Sequence, residues 1–235
     1  MKLRIPVILA LSVISISAAA QRRVAADVEV KTVYQGKVTT ITSKAFCSSS
    51  GELIQVFNSP YTYYTVSNPS GEFKLYIPGR NEVYSNRRED FSDKDNILYL
   101  FISGHAGDMG LGLYGYRLAT TEREDGGLLK RTYKPIAPGK GASKVELVLE
   151  NYLPIYLAYY NEGGAVVSRT YLSSYTKMPN LVLPQRVTSI NYTTKKDSTV
   201  VRTVYSNIKT DGKDPMFDFR VPKDAKPTSI SPVGK

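Results

Sequence analysis

Tryptophan is absent from this chain, and cysteine and histidine occur once each, as Cys47 and His105. A single cysteine excludes an intramolecular disulfide. A single histidine excludes a histidine-built metal site. It also leaves a serine–histidine–aspartate set only His105 to draw on, in a glycine-bearing stretch with no nucleophile elbow. Gly110-Leu-Gly112-Leu-Tyr-Gly115 has the spacing of a dinucleotide fingerprint. No strand–helix–strand unit surrounds it, and small residues that let backbones pack closely explain it as well. The carboxylates Glu122, Glu124 and Asp125 stand in a charged stretch with nothing nearby to raise a pKa. The chain thus offers no catalytic set, no metal site and no cofactor motif, and reads as non-enzymatic.

Long apolar runs are also missing, with one exception. Residues 5–17 are apolar, follow Lys2 and Arg4, and lead to Ala18-Ala19-Ala20 before Gln21. This is the pattern of a secretory signal peptide over residues 1–20. The run is too short for a membrane span, which takes about 20 apolar residues, and no cysteine follows the cut to carry a lipid. The chain is therefore expected to be exported and soluble. Removing Lys2 and Arg4 takes the basic count from 31 to 29 against 21 acids, so the net charge falls from +10 to +8. Such a surplus suits solubility or transient contact with an anionic membrane or an acidic protein. The basic residues are dispersed, without a nucleic-acid-binding motif.

What the chain has in quantity is tyrosine, 18 residues of it, set in short alternating segments. "DVEVKTVYQGKVTTITSKAF" reads as two strands broken at Gln35-Gly36. "GELIQVF", "YTYYTV", "EFKLYI" and "NEVYSN" follow, each closed by turn residues. After a glycine-rich, charged region over 105–143, with "REDGG" and "PIAPGKGAS" as loops, come "KVELVLE", "PIYLAYY", "AVVSRTYLSSY", "RVTSINYTT", "TVVRTVYSNI" and "MFDFRV". Short, evenly spaced strands without crossover helices predict an antiparallel sheet. Residues 92–104, with Ser92 or Asp93 as cap and Gly104 as stop, read as a single helix, although the apolar core of this segment also suits a buried strand. The polar tail from Lys223 is expected to be disordered.

A curved antiparallel sheet with an apolar concave face, partly plugged by a helix, is a natural container for an acyl chain. Phe73, Leu75 and Ile77, Val145, Leu147 and Leu149, and Phe217 and Phe219 would each give part of the wall, with Leu100 and Phe101 on the plug. The same residues can equally fill a closed, dry core. Tyr61, Tyr63, Tyr64 and Tyr76 would stand at the mouth, or be ordinary strand surface.

The order of landmarks resembles the LolA/LolB-type lipoprotein carriers. "AFCSSSGELIQVFNSPYTYYTVSNPSGEFKLYIPGRNEVYSN" is similar to that family's first half, with Tyr76-Ile-Pro78-Gly-Arg-Asn81-Glu-Val83 at the strand end the family writes as Y-x-P-x-x-N-x-V. The run from "KVELVLE" to "FDFRVPKDAK" looks like its later meander, ending on an F-x-F-x-x-P strand. The resemblance covers most of residues 35–226 and implies a single domain over 21–222, mainly β, whose curved antiparallel sheet forms an unclosed half-barrel plugged by one or a few helices. It implies a soluble periplasmic carrier that shelters the acyl chains of a lipoprotein or lipid, working with a membrane-bound donor or acceptor protein. The rival readings are an envelope-stress regulatory or sensor module that binds a partner protein with the same fold, and an enzyme acting on envelope polymers. Two departures stand out. The family's long first helix has no room in Gln21–Asp27, and residues 105–143 carry glycines and charges in place of a cleaner lid.

Overall fold

The computed structural model describes residues 22–87, 96–137, 139, 141–194 and 197–229. The expected signal peptide, and Ser92 and Asp93 as caps, lie outside the described residues. Strands β1 (Arg23–Tyr34) and β2 (Lys37–Ser48) form a long hairpin. They are followed by β3 (Leu53–Phe57), β4 (Tyr63–Ser67), β5 (Glu72–Ile77) and β6 (Glu82–Arg87). Helix α1 (Ile97–Ile102) comes next, then β7 (Tyr116–Arg123), β8 (Leu129–Pro135), β9 (Lys144–Glu150) and β10 (Leu153–Tyr160). The long strands β11 (Val166–Met178), β12 (Leu181–Thr194) and β13 (Asp197–Thr210) precede a terminal two-residue strand, β14 (Lys226–Pro227).

All fourteen strands join one sheet, ordered β14-β6-β5-β4-β3-β2-β1-β13-β12-β11-β10-β9-β8-β7. The two halves of the chain meet where β1 pairs with β13, and every pair except the parallel β14–β6 contact is antiparallel. The sheet is curved and unclosed, an open half-barrel. Register shifts at Ala25/Asp27, Pro154/Tyr156, Tyr159/Tyr160, Tyr192/Thr194 and Leu118/Thr120 mark where it bends, because each extra residue increases local twist.

Turn chemistry explains the long hairpin. Gln35 and Gly36 both have positive φ, 47° and 74°, as a two-residue turn matched to strand twist requires. Gly51 has φ +90°, and a Cβ there would lie 2.1 Å from Pro69 Cγ, so only glycine fits between β2 and β3.

Three regions differ from the sequence reading. Residues 105–143 contain the β7–β8 hairpin, whose first strand is exposed at nearly every position. With no buried face, it carries no apolar alternation to detect.

The second difference is the "MFDFRV" segment, which is a 3-10 turn over Pro215–Asp218 and not a strand. Asp214 accepts from the Met216 N–H at 3.0 Å, and Pro215 is set for a helical start, a capping pair that overrides a short alternation. Third, the tail from Lys223 is not wholly free. The Lys226 N–H donates to the Asn81 carbonyl at 2.8 Å and the Thr228 N–H to Val83 at 2.9 Å.

Candidate functional site

Helix α1 has the sequence ILYLFI and no polar face except the Tyr99 hydroxyl. Leu98, Leu100, Phe101 and Ile102 are all buried, the state expected of a helix that is apolar all round. Its ends are closed locally. The Asn96 side chain accepts from the Tyr99 N–H, and the Ser103 hydroxyl donates to the Tyr99 carbonyl at 2.6 Å. The His105 N–H then bonds back to the Leu100 carbonyl at 2.8 Å, past Gly104 with φ +84°. That is a helix stop built around a left-handed glycine. Asp108 accepts from the Gly110 and Gly112 amides, so the glycine motif shapes this loop. Arg131 Nη1 holds the loop by donating to the Gly107 carbonyl at 3.0 Å.

Below α1 lies the concave face, taken as the face that carries the helix. One continuous buried cluster joins α1 to Val24, Ala26 and Val28 on β1, Ala45 and Cys47 on β2, and Leu53 on β3. From the other half of the sheet it takes Val145, Leu147, Leu149, Leu157, Leu172, Leu183, Val187 and Tyr205. The helix side chains meet the sheet through apolar packing and one ring contact, Phe101 to Tyr175 with centroids 6.1 Å apart. Burial pushes the Tyr175 and Tyr205 hydroxyls well above the ordinary tyrosine value of 10.0. Tyr175 donates its hydroxyl proton to the Pro154 carbonyl.

The proposed wall residues divide three ways. Leu100, Phe101, Val145, Leu147 and Leu149 meet in this cluster, each at most 6% exposed, so the space between helix and sheet is filled. Phe73, Leu75 and Ile77 face the same way, since Leu75 pairs with Thr65, Thr65 with Gln55 and Gln55 with Ala45. They are only half-buried and belong to no buried cluster with α1. Phe217 and Phe219 lie on the opposite, convex face. There Phe217 packs edge-on against Phe46 at 5.4 Å, with Ala25 and Ile54. Their strand-like spacing mimicked a concave wall, and the capped turn carries them to the other side.

The tyrosines split evenly. Tyr63 stacks on Phe57 at 4.4 Å on the concave side, with exposed Tyr61 beside it. Tyr64 and Tyr76 are on the convex side, where Tyr64 stacks on Phe219 at 4.9 Å.

An apolar strip that no element among the described residues covers therefore continues the concave face beyond α1, formed by exposed Ile41 and half-buried Phe57, Tyr63, Leu75 and Ile77. Sequence reasoning did not find Ile41, Phe57 or Tyr205, although alternation in "TTITSKAFCS", "GELIQVF" and "TVVRTVYS" carries that signal. A depression of about 470 Å³ lies elsewhere. Its lining includes Asp27, Glu29, Thr42, Lys44 and Ser206, a polar set unsuited to an acyl chain. The carboxylates Glu122 and Glu124 are accounted for by Lys130, at 3.2 and 2.9 Å. Among the described residues no group of three or more metal-ligating side chains gathers, and no helix is long and apolar enough to cross a membrane.

No family model and no curated protein matches the sequence. Solved structures match the fold. A putative outer membrane lipoprotein-sorting protein domain from Vibrio parahaemolyticus superposes with a TM-score of 0.53 at 11% identity, covering 83% of this chain and 89% of that one. A DUF1329 family protein from Desulfovibrio piger gives 0.55 at 15% identity, over 85% and 90%. A LolA superfamily protein from Nitrosomonas europaea gives 0.53 at 12% identity, over 80% and 85%. At these identities the likeness is one of fold: the chain has the open half-barrel architecture of these structures.

Proposed function

We propose that this protein is an exported, non-enzymatic carrier that shelters the acyl chains of a lipoprotein or lipid on the concave face of its half-barrel. The observation that carries the reading is α1, a six-residue apolar helix docked on an apolar basin by interchangeable contacts. An acyl chain offers the same surface. Each methylene it buries contributes about 0.8 kcal/mol, so one long chain competes with the four buried side chains of the helix. The uncovered strip from Ile41 to Ile77 gives the chain a first place to lie, and displacement of α1 gives it the rest. Tyr61 and Tyr63 stand at the rim, where a ring meets the chain and a hydroxyl meets headgroup oxygens. Export by the N-terminal signal and a periplasmic location fit this role. Handover would need a membrane-bound donor or acceptor.

Extraction of lipid from the protein purified out of its own envelope tests this directly. The expected result is a stoichiometric acyl lipid or acylated protein. A lipid-free protein that instead returns one stoichiometric protein partner would overturn it. That second reading, a regulatory module, is favoured by β7. It is an eight-residue edge strand with no partner on its outer side among the described residues, and exposed edges accept added strands.

A further inference from the structure

The convex face is covered at one end only. The 3-10 turn at Pro215–Asp218 packs over Ala25, Phe46 and Ile54, while the far ends of β1, β2, β11, β12 and β13 carry no covering element among the described residues. Val28 and Val30 belong to the helix-side cluster, so Lys31 and Val33 point to the opposite, convex face. Cross-strand pairing then builds two adjacent rows. Val38 pairs with Val33, Val33 with Val200, Val200 with Ile190 and Ile190 with Arg169. The neighbouring row runs Lys31, Arg202, Thr188, Tyr171 and Tyr156.

The first row is an aliphatic strip with Val38 60% exposed, and the second puts basic residues and tyrosines along its border. Arg169 lies against the Tyr192 ring at 5.8 Å, with its Nε buried and unbonded. Tyr156 and Tyr171 pack at 5.2 Å beside it. Neither row contains an acid before Glu146, which Lys144 pairs at 2.8 Å. The nearest other carboxylates are Glu29, one row away, and Asp197, bonded to Gln35 at 3.4 Å.

We propose that this face docks on an anionic phospholipid bilayer. Four observations select that occupant. None of the residues of the aliphatic row lines any of the three best-formed depressions, the nearest of which begins at Glu29 and Thr42, one row beyond Lys31. A protein partner's anchor residue therefore has no pocket to fill. Tyrosines border the strip, as at membrane interfaces, where the ring meets hydrocarbon and the hydroxyl meets water. Lys31, Arg202 and Arg169 set positive charge beside the apolar row, the arrangement attracted by acidic headgroups. A second copy placed face to face would oppose like charges. The inference does not depend on acyl carrying, because it concerns the other face.

Delipidated protein is mixed with phosphatidylcholine vesicles made with and without phosphatidylglycerol, and the bound fraction is measured by sedimentation. Binding is expected only with phosphatidylglycerol, weakening as salt shortens the screening length from about 10 Å at 0.1 M. A basic residue near an anionic surface contributes about fivefold, so the Lys31→Ala/Arg202→Ala double variant should bind roughly thirtyfold more weakly. Val38→Asp should also weaken binding. A Lys74→Ala/Lys209→Ala variant loses the same charge outside the patch and should stay within about twofold. No vesicle binding, equal binding to neutral vesicles, or equal losses in the two double variants would overturn the proposal. So would a dimer that Val38→Asp dissociates, because the face would then be a protein interface. Palmitate binding measured separately reports on the carrier reading, so the two can fail independently.

Discussion

Two apolar clusters lie back to back on this sheet, and each is closed by one short helical piece with an Asn or Asp cap. On the concave side Asn96 caps α1, and on the convex side Asp214 caps the turn that delivers Phe217. The closures differ in what holds them. The convex turn is stapled by polar contacts as well as by Phe217 edge-on against Phe46: Arg23 donates to both Asp218 oxygens, at 2.7 and 3.2 Å, and Arg220 to Glu52 at 2.7 Å. Helix α1 rests on the sheet by apolar packing, and its polar tie, Arg131 to Gly107, lies in the loop beyond it. Directional contacts fix one partner, whereas apolar contact accepts any body of suitable shape. The convex closure is thus structural, and the concave one is exchangeable.

The sharpest way to break this contrast is a pair of truncations. Phe217→Ala and Phe101→Ala each remove a buried ring and should each cost about 3–5 kcal/mol of unfolding free energy by chemical denaturation. Only Phe101→Ala should alter palmitate binding, by strengthening it as the plug loosens. Equal binding changes in the two variants would erase the distinction between the closures.

Alkaline titration probes the concave side next. Tyr175 and Tyr205 have hydroxyl pKa values raised by burial above the ordinary 10.0. A raised folded value means their contribution is complete below about 10 and is lost as pH climbs from there toward the folded values. Tyrosinate absorbance should therefore show these groups ionising together with loss of the fold, after the exposed tyrosines. Both replaced by Phe, the alkaline limit should move upward.

Removing residues 223–235 deletes β14 and its two backbone hydrogen bonds to Asn81 and Val83. A loss of about 1–2 kcal/mol is expected in thermal melts, with palmitate binding unchanged. Smallest of all is Asp218→Ala, which breaks an ion pair whose carboxylate is 65% exposed. It should cost about 0.2–1 kcal/mol, less at high salt. A larger loss would mean the staple contributes more to the convex closure than its exposure allows.

The fold was legible because burial on one face writes a period of two into a strand. "KVELVLE" buries Val145, Leu147 and Leu149 and turns its charges out. The strands of both halves were visible in this way, whereas the Gln35-Gly36 turn was read from its turn residues and the helix from cap residues, in a segment that also suited a buried strand. The β7–β8 hairpin was not visible, because β7 buries neither face and reads as loop. Phe217 and Phe219 misled for the opposite reason: they alternate as a strand would, and the Asp214-Pro215 pair before them was the stronger signal. Four tyrosines offered as one mouth fall on two faces, since Tyr63 and Tyr64 are neighbours in sequence and neighbours in a strand point apart. Face assignment needs register, and register is set by pairing between distant strands.

The exchangeable plug is tested most directly by amide hydrogen exchange across α1, with and without saturating palmitate. The Leu100 N–H, bonded to the Asn96 carbonyl at 2.9 Å, should lose protection when palmitate is bound, while amides of Lys144–Glu150 on β9 keep theirs. Unchanged or increased protection at Leu100 under saturating ligand, or no palmitate binding at all, would contradict the claim that an acyl chain takes the helix's place.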